Sequence, residues 1–445
     1  MLDNINSFID TLIFLAKIKL NIVNEKNIKK NIEKKGIISI KLAQWLSNRT
    51  DLFPQEYLDE FSKLQEKVSN HDWEDSKLIL KKEFKDISFL EIEKIPIGSG
   101  SISQVYKASI SDNNEIIKSL NLNDSVAIKI IHPNINKKKD YSKNKLFIKN
   151  TIKILSLKKK YRFLKNIDFT YFFNLIESQT DLNNEGKNLE IFFNFSNDFP
   201  NVIIPKHIYS CSNLIIESFE DGYTIQELKN NYSDKILKEA LSLLWWSYMK
   251  MILKYNFIHG DIHEGNFRFK IINDKVNLVL YDYGFIIQNN DKEKESYNNL
   301  FDVIFLPNPN EIANFILNSA LNDINEDNSN KFKEDIKAYF ESLQAYEFYD
   351  RFKSEKLLFI LQLGMDSNLR KRYKRDICLI TNVLDITIKY NIIIDSKNLN
   401  ILNGLKMIES LEKKYTDLSN DKFIEFKANY GVKNKFFDVV KLGII

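Results

Sequence analysis

The chain has 445 residues, a formal net charge of +4 from 64 Lys+Arg against 60 Asp+Glu, and a hydrophobic share of 44%. That length and apolar content suffice for one large domain or a few ordinary ones with real cores, which excludes a disordered chain. The balanced charge gives no case for nucleic acid as a partner. Two cysteines, Cys211 and Cys378, neither in a metal-ligand spacing, exclude a disulfide framework and favour a reducing compartment.

In chain order, the first apolar stretch, FIDTLIFLAKIKLNIV, is interrupted by Asp10, Lys17 and Lys19 and is too charged to span a bilayer. No arginine precedes Arg49, unlike an Arg-rich transit peptide. A helix packed on the protein and a helix lying on a membrane both fit; apolar stripes are usually core, which favours packing. An intracellular location, cytoplasmic or peripheral to a membrane, is expected. Residues 1 to about 90 carry apolar positions at helical spacing, with polar breaks near Asn48–Pro54 and Ser69–Asp72. From Ile95 the period changes: IPIGSGSISQVYKASI and SVAIKIIHP read as strands joined by the polar SDNNEIIKSLNLND. Residues 140–195 return to helical spacing, and NVIIPKHIYS and NLIIESFEDG read as further strands. An apolar helix, ALSLLWWSYMKMILKYNFI, then leads into the polar HGDIHEGN at 259–266, and KVNLVLYDYGF reads as a strand after it. Beyond Tyr283 the chain is mostly helical, with a break at NPN, 308–310. RKRYKR at 370–375 fits either a solvated helix turn or a patch for anionic lipid, and the lysine-rich background favours the first. The predicted class is α+β: a helical extension over 1–92, a β-rich lobe over 93–222 and a helical lobe over 223–445.

Several polar groups fall at the joints of these elements. Gly98 and Gly100, in GSGS with Ser101, sit at a turn between strands, where a glycine lets backbone N–H groups approach a phosphate; a plain hairpin turn fits the same residues. Lys129, in VAIK, is a lysine on a strand of Val, Ala and Ile; the phosphates of a nucleotide together with a partner carboxylate would satisfy its ammonium. Asp261 and Asn266 have the spacing of a protein-kinase catalytic loop, where the Asp orients or deprotonates the acceptor and the Asn binds a metal ion. Asp282, in YDYGF, comes next at the end of a strand, in the place of the metal-binding Asp of DFG, with Tyr283 replacing Phe. Carboxylate and amide oxygens with phosphates suit Mg²⁺, so Asn266 and Asp282 form the expected metal pair. His259 and His263 are assigned to shaping the loop, since a zinc site would need a third ligand that is not apparent.

HGDIHEGN also resembles the loops of aminoglycoside and choline kinases. The upstream segment GIISIKLAQWLSNRTDLFPQEYLDEFSKLQEKV, at 36–68, resembles the N-terminal signature of the ABC1 family, also called UbiB or aarF-domain atypical kinases. Lys41 and Gln44 match its K-x-G-Q motif, with Ala43 for the glycine. Ser47, Arg49, Asp51, Leu52, Pro54, Glu56 and Tyr57 match the S-x-R-x-D-L and P-x-E-Y positions downstream of that motif. The resemblance runs to about residue 305.

This resemblance implies a protein-kinase-like two-lobe fold, ATP as ligand, and Mg²⁺, with Mn²⁺ as the alternative cation. The family's alanine-rich nucleotide loop aligns with Gly98, Ser99, Gly100, Ser101, Ile102, Ser103, Gln104 and Val105, which depart from it toward an ordinary kinase loop. In QTDLNNEGKN, Asp181, Glu185 and Asn188 are retained and Gln179 replaces a Glu that faces the Lys41 element; Glu185 is the implied partner of Lys129. Glu217 falls at the family's hinge acid, beside the adenine-contacting backbone. Lys41, Gln44 and Asp181 are the implied regulatory residues, the first two on a helix lying over the pocket where a protein substrate would dock. The family role is support of ubiquinone and other isoprenoid lipid pathways at membranes, with a small-molecule or lipid substrate. A nucleotide-switched pseudokinase scaffold and a small-molecule kinase are the alternatives.

Overall fold

The computed structural model describes residues 37–46, 70–110, 125–133, 138–157, 159–199, 201–290, 309–342 and 386–416, with short pieces at 32–33, 60–61, 63–64 and 383. The stretch at 8–23, residues Ser47 to Tyr57, the RKRYKR segment and Cys378 lie outside them.

The first lobe tracks the change of period in the sequence. Helices α1 (Ile37–Leu46) and α2 (Trp73–Phe84) precede strands β1 (Leu90–Ile92), β2 (Gly98–Ser99), β3 (Ser103–Ile110) and β4 (Ser125–Ile131). Then come α3 (Lys138–Leu155), a 3₁₀ segment (Lys159–Asn166), β5 (Ile167–Asp168), α4 (Thr170–Ser178) and α5 (Leu182–Asn194). Strands β6 (Val202–Ile203), β7 (His207–Cys211) and β8 (Leu214–Ser218) complete the lobe. The sheet runs β1-β3-β4-β8-β7, antiparallel throughout, with β2 folded back on β3. Side chains alternate across it: Val126, Ile128 and Ile130 of β4 join Tyr106, Leu214 and Ile216 in a core closed by Leu80 of α2. Lys129 therefore emerges on the opposite face. Because Leu80 is fully buried there, the segment before residue 92 shares its core with the lobe after it.

NVIIPKHIYS, read as one strand, is two. Val202–Ile203 pairs in parallel with a strand of the second lobe, and Pro205, which has no N–H for a ladder, separates it from β7.

The second lobe contains α6 (Ile225–Asn231), α7 (Asp234–Lys254), β9 (Phe257–His259), β10 (Phe267–Ile272), β11 (Lys275–Leu280) and β12 (Ile286–Gln288). Helices α8 (Pro309–Asn318) and α9 (Glu326–Ser342), strand β13 (Ile394–Asp395) and helix α10 (Ser396–Tyr415) come after them. A capping box between Thr224 and Glu227 starts α6, and Ser233 caps α7. Every residue from Ala240 to Leu253 is buried, so α7 is the lobe's central post rather than an amphipathic surface helix. Asn273 and Asp274 adopt φ of 49° and 59° in the tight turn between β10 and β11. Helix α1 packs on α3 and α4, and its Ile37 and Ile38 enter the large core. No helix among the described residues is long and apolar enough to cross a membrane.

Candidate active site

Lys129 lies on the central strand β4, and two carboxylates converge on it. Its Nζ donates to Glu185 Oε1 at 2.7 Å and stands 3.0 Å from Asp282 Oδ1. Burial works against the ammonium, but Asp282 and Glu185 outweigh it and hold its pKa above the ordinary lysine value. Asp282 is lowered by Lys129 and Lys41 in spite of its own burial. Glu185 is pushed up by burial against the pull of Lys129.

Each partner is fixed from its own element. Asp181 caps α5, accepting from Asn183 N at 3.1 Å, and so begins the helix that carries Glu185. A Cβ on Gly186 would run into Ser210 Oγ and His207 of β7, so a glycine lets α5 lie flat on the sheet edge. From the same helix, Asn188 Nδ2 donates to Tyr283 O at 2.8 Å, tying α5 to the YDYGF turn. There Asp282 has φ of 59°, a left-handed backbone uncommon outside glycine, and accepts from Gly284 N at 3.2 Å. Tyr283 is fully buried against Phe192 and His259.

The HGDIHEGN loop is held by its histidines. His259 Nε2 donates to Tyr281 O at 2.9 Å, which leaves Nδ1 to accept from Asp261 N at 3.3 Å. Burial lowers its pKa, so the neutral tautomer these bonds require is the one favoured. His263 Nδ1 accepts from Gly265 N at 3.0 Å. Asn266 Nδ2 donates to Asp261 O at 2.9 Å, so its remaining acceptor is Oδ1, the kind of atom a hard cation takes, and Asn266 lines the cleft.

Above this loop lies α1. Lys41 Nζ donates to Asp261 Oδ2 at 2.8 Å, and Lys41 is 8% exposed. Burial raises the Asp261 pKa, but Lys41 and then His263 pull it below the usual carboxylate value. Gln44 Nε2 donates to Leu64 O at 2.6 Å, tying α1 to the next described piece of chain.

The groups face one cleft, about 420 Å³ with its open mouth. Of the residues singled out in the sequence, Gly100, Ser101, Lys129, Glu185, Asp261, Asn266, Asp282, Lys41 and Gln44 line it. Val105 and Glu217 stand on the Lys129 face of the sheet, Val105 opposite Lys129 and Glu217 opposite Ala127. The Glu217 carboxyl is pushed up to about 8 by burial and then by Glu185. Gly98 is an exposed strand residue, and Asp181 acts through its cap.

Gln104 is a correction. Expected to face the nucleotide, its fully buried side chain turns to the other side of the sheet, where Nε2 donates to His71 O at 3.1 Å and Oε1 accepts from His71 N at 3.0 Å. The reason is a polar network that sequence reasoning missed. His132 Nε2 donates to Gly100 O at 3.1 Å, so its Nδ1 accepts from His71 Nδ1 at 2.7 Å. His71 Nε2 then accepts from Ser76 Oγ at 2.6 Å, and Ser76 from Tyr106 OH at 2.8 Å. Gln104 Nε2 donates in turn to Tyr106 OH. Burial, together with the nearness of His132, lowers His71 to about 4, and burial lowers His132. The glycine-bearing turn is thus anchored to the chain just before α2. Two histidines 61 residues apart carry no spacing signal.

Residues 63–316, more than half of the chain, match the ABC1 atypical kinase-like domain. The chain belongs to the ABC1 family. The probable serine/threonine-protein kinase abkC of Dictyostelium discoideum is 30% identical over 249 residues, 53% of this chain and 33% of that protein. A mitochondrial ABC1 family protein of Saccharomyces cerevisiae is 30% identical over 259 residues, 54% of this chain and 38% of that protein. The matched region spans little more than a third of these relatives. Among solved structures, the Rv3197–erythromycin complex from Mycobacterium tuberculosis aligns with 91% of this chain and 98% of that one, at 16% identity and a TM-score of 0.37. The ABC1 match, with an antiparallel sheet in the first lobe and helices in the second, makes the fold the α+β, kinase-like one of ABC1 proteins. The ABC1 match holds Lys129, Glu185, Asp261, Asn266 and Asp282, and begins after the Lys41–Gln44 helix.

Proposed function

We propose that this ABC1 chain binds ATP with Mg²⁺ or Mn²⁺ in the cleft and acts as an atypical kinase or ATPase on a non-peptide acceptor. The observation that carries the reading is the meeting of Glu185 and Asp282 on Lys129 at 2.7 Å and 3.0 Å, from three separate elements. A structural ion pair needs one carboxylate; a second one on the cleft wall, beside Asn266, suits a divalent cation and the phosphates it bridges. When bound, such a cation would offset charge on the β- and γ-phosphates during transfer. Lys129 would neutralise phosphate oxygens, while Asp261 would orient the acceptor and receive its proton. Lys41, now on Asp261, would have to withdraw or share that carboxylate, which is how α1 would restrict access. Neither Gly98 nor Gly100 has a backbone or packing need for glycine, a Cβ meeting nothing within 4 Å at the first and only Ser103 O at 3.7 Å at the second. Close approach of phosphate to this turn would supply the need. Support of ubiquinone or other isoprenoid lipid metabolism, with peripheral membrane contact, is the cellular role proposed from the family resemblance.

The test is thermal stability with and without Mg-ATP, run beside ATP hydrolysis, on wild type, Asp282→Asn and Lys41→Ala. Saturating ligand at about a hundred times Kd stabilises the native state by about 2.7 kcal/mol, which wild type should show and Asp282→Asn should lose. No shift in wild type would end the nucleotide reading. A shift with no turnover in wild type or in Lys41→Ala would instead mark a nucleotide-switched scaffold.

A further inference from the structure

A second cavity lies against the same Asp261–Lys41 pair. It is open at its mouth and spans about 500 Å³ with the solvent space there counted in, and Lys41, Gln44 and Asp261 line both it and the cleft. Its other walls differ in character. Phe172, Ile262 and Phe285 supply apolar surface, and one face of α10 supplies Asn400, Asn403, Gly404 and Met407, at the three- and four-residue spacing of a single helix side. A Cβ on Gly404 would run into Tyr248 OH, so this glycine seats α10 tightly on α7 and brings that face to the cavity.

Asn400 is the telling residue. It is 2% exposed, yet neither its Nδ2 nor its Oδ1 has a hydrogen-bond partner among the described residues. An unpaired buried polar group costs about 1–3 kcal/mol, and a leucine at this helical position would avoid that cost. The charged groups on the cavity wall, Lys41 and Asp261, face each other at 2.8 Å and cancel, so nothing there selects a charged ligand.

We propose that this cavity binds the phosphoryl acceptor: a compact, uncharged, mostly apolar alcohol bearing an amide or similar paired donor and acceptor that Asn400 reads, with its hydroxyl at Asp261. The direction of transfer rests on the nucleotide reading of the cleft; binding in the cavity does not. In the reaction the acceptor oxygen forms a bond to the γ-phosphorus of ATP as the bond to the β,γ-bridging oxygen breaks. ADP leaves with that electron pair, and the hydroxyl proton passes to the Asp261 carboxylate.

The probes are matched aromatic alcohols with and without a carboxamide, para-hydroxymethylbenzamide against para-methylbenzyl alcohol. Their binding to the full chain is measured without nucleotide, by calorimetry and ligand-observed NMR. Wild type should prefer the amide by about tenfold or more, the worth of pairing a buried amide. Asn400→Leu should erase that preference while melting at or above the wild-type temperature, because it removes an unpaired buried group. Equal affinities in wild type, an unchanged preference in Asn400→Leu, or a lower melting temperature for that variant would each overturn the assignment. Mg-ATP stabilisation of wild type, recorded in parallel, reports on the cleft alone. Its absence with amide preference intact would count against the nucleotide reading and leave the cavity standing.

Discussion

Removing Lys41 should both destabilise the fold and release Asp261. The pair meets at 2.8 Å with exposures of 8% and 21%. At that distance its gross attraction is about 6 kcal/mol for an effective dielectric near 20, most of it offset by desolvation of the two ions. Removing one partner is another matter, since a stranded buried charge costs about 3–5 kcal/mol. The partial exposure of Asp261 reduces this to about 2–3 kcal/mol for Lys41→Met, because water can screen the carboxylate left behind. Asp261→Asn should cost slightly more, since the ammonium it strands is the more buried partner. In the double variant no charge is stranded, so the two losses should fail to add by about 2 kcal/mol. The assay is urea unfolding of wild type, both single variants and the double variant at pH 7, repeated near pH 4. Asp261 is held below its ordinary pKa, so its contribution is present at neutral pH and lost as pH falls through the folded value. In Lys41→Met the burial of Asp261 would act without the opposing ammonium and raise its pKa, so the stranded carboxylate should take up a proton and the penalty should shrink toward pH 4. Additive losses, within about 0.5 kcal/mol, would refute the claim that this ion pair is an energetically coupled lock on the loop.

Three further outcomes are expected. Glu217, raised to about 8, keeps its proton in the fold where the unfolded chain would lose it, so stability should fall as pH rises from about 4.5 to 8. Glu217→Gln should remove that slope, up to about 1.4 kcal/mol per pH unit, as read by denaturation at pH 5 and pH 8. His71, lowered to about 4, has the opposite sense: the unfolded chain takes a proton below about 6.5 and the fold does not, so stability is lost as pH falls from 6.5 toward 4. His71→Gln should flatten that limb relative to wild type, and an unchanged limb would mean His71 is already protonated in the fold. Chelating the divalent cation should sharply reduce ATP-induced stabilisation, because Asp282 and Asn266 otherwise present free ATP with a carboxylate and a neutral amide; equal shifts with EDTA and with Mg²⁺ would remove both residues from the metal role.

Local chemistry made much of this legible. Lys129 could be placed because VAIK sits in a β-branched run, and the Asp261–Asn266 spacing and the Asp282 turn survive as short strings on one loop each. What stayed hidden is non-local. Gln104 was expected at the nucleotide because it aligns with the family's nucleotide loop, but a strand residue goes to the face its parity dictates, and His71 and Ser76 wait on the far side. The His71–His132 link needed the fold to bring 61 residues of separation to 2.7 Å. Likewise Asn400 looks like any polar residue of a helix until the packing of α10 on α7 denies it a partner.

The two cavities also bear on why the chemistry would need both lobes and α1. In the cleft Lys129 is matched by Glu185 and Asp282, and Lys41 by Asp261, so two ammonium groups stand among three carboxylates. A bare triphosphate would meet net negative charge there, and Glu217 adds none while it keeps its proton. Asp282 and Asn266 would hold a divalent cation, whose charge would reverse that balance, and Lys129, released from one of its two carboxylates, would meet phosphate oxygens. Movement of Lys41 away from Asp261 would then do two things at once: expose the carboxylate proposed to take the acceptor's proton and open the wall common to the cleft and the cavity. Gln44, on the next turn of α1, lines both spaces as well, so a shift of this one helix would change nucleotide and acceptor sites together. Coupling between the two ligands is the thermodynamic consequence, since whatever binds better with α1 displaced must aid the other to the same degree.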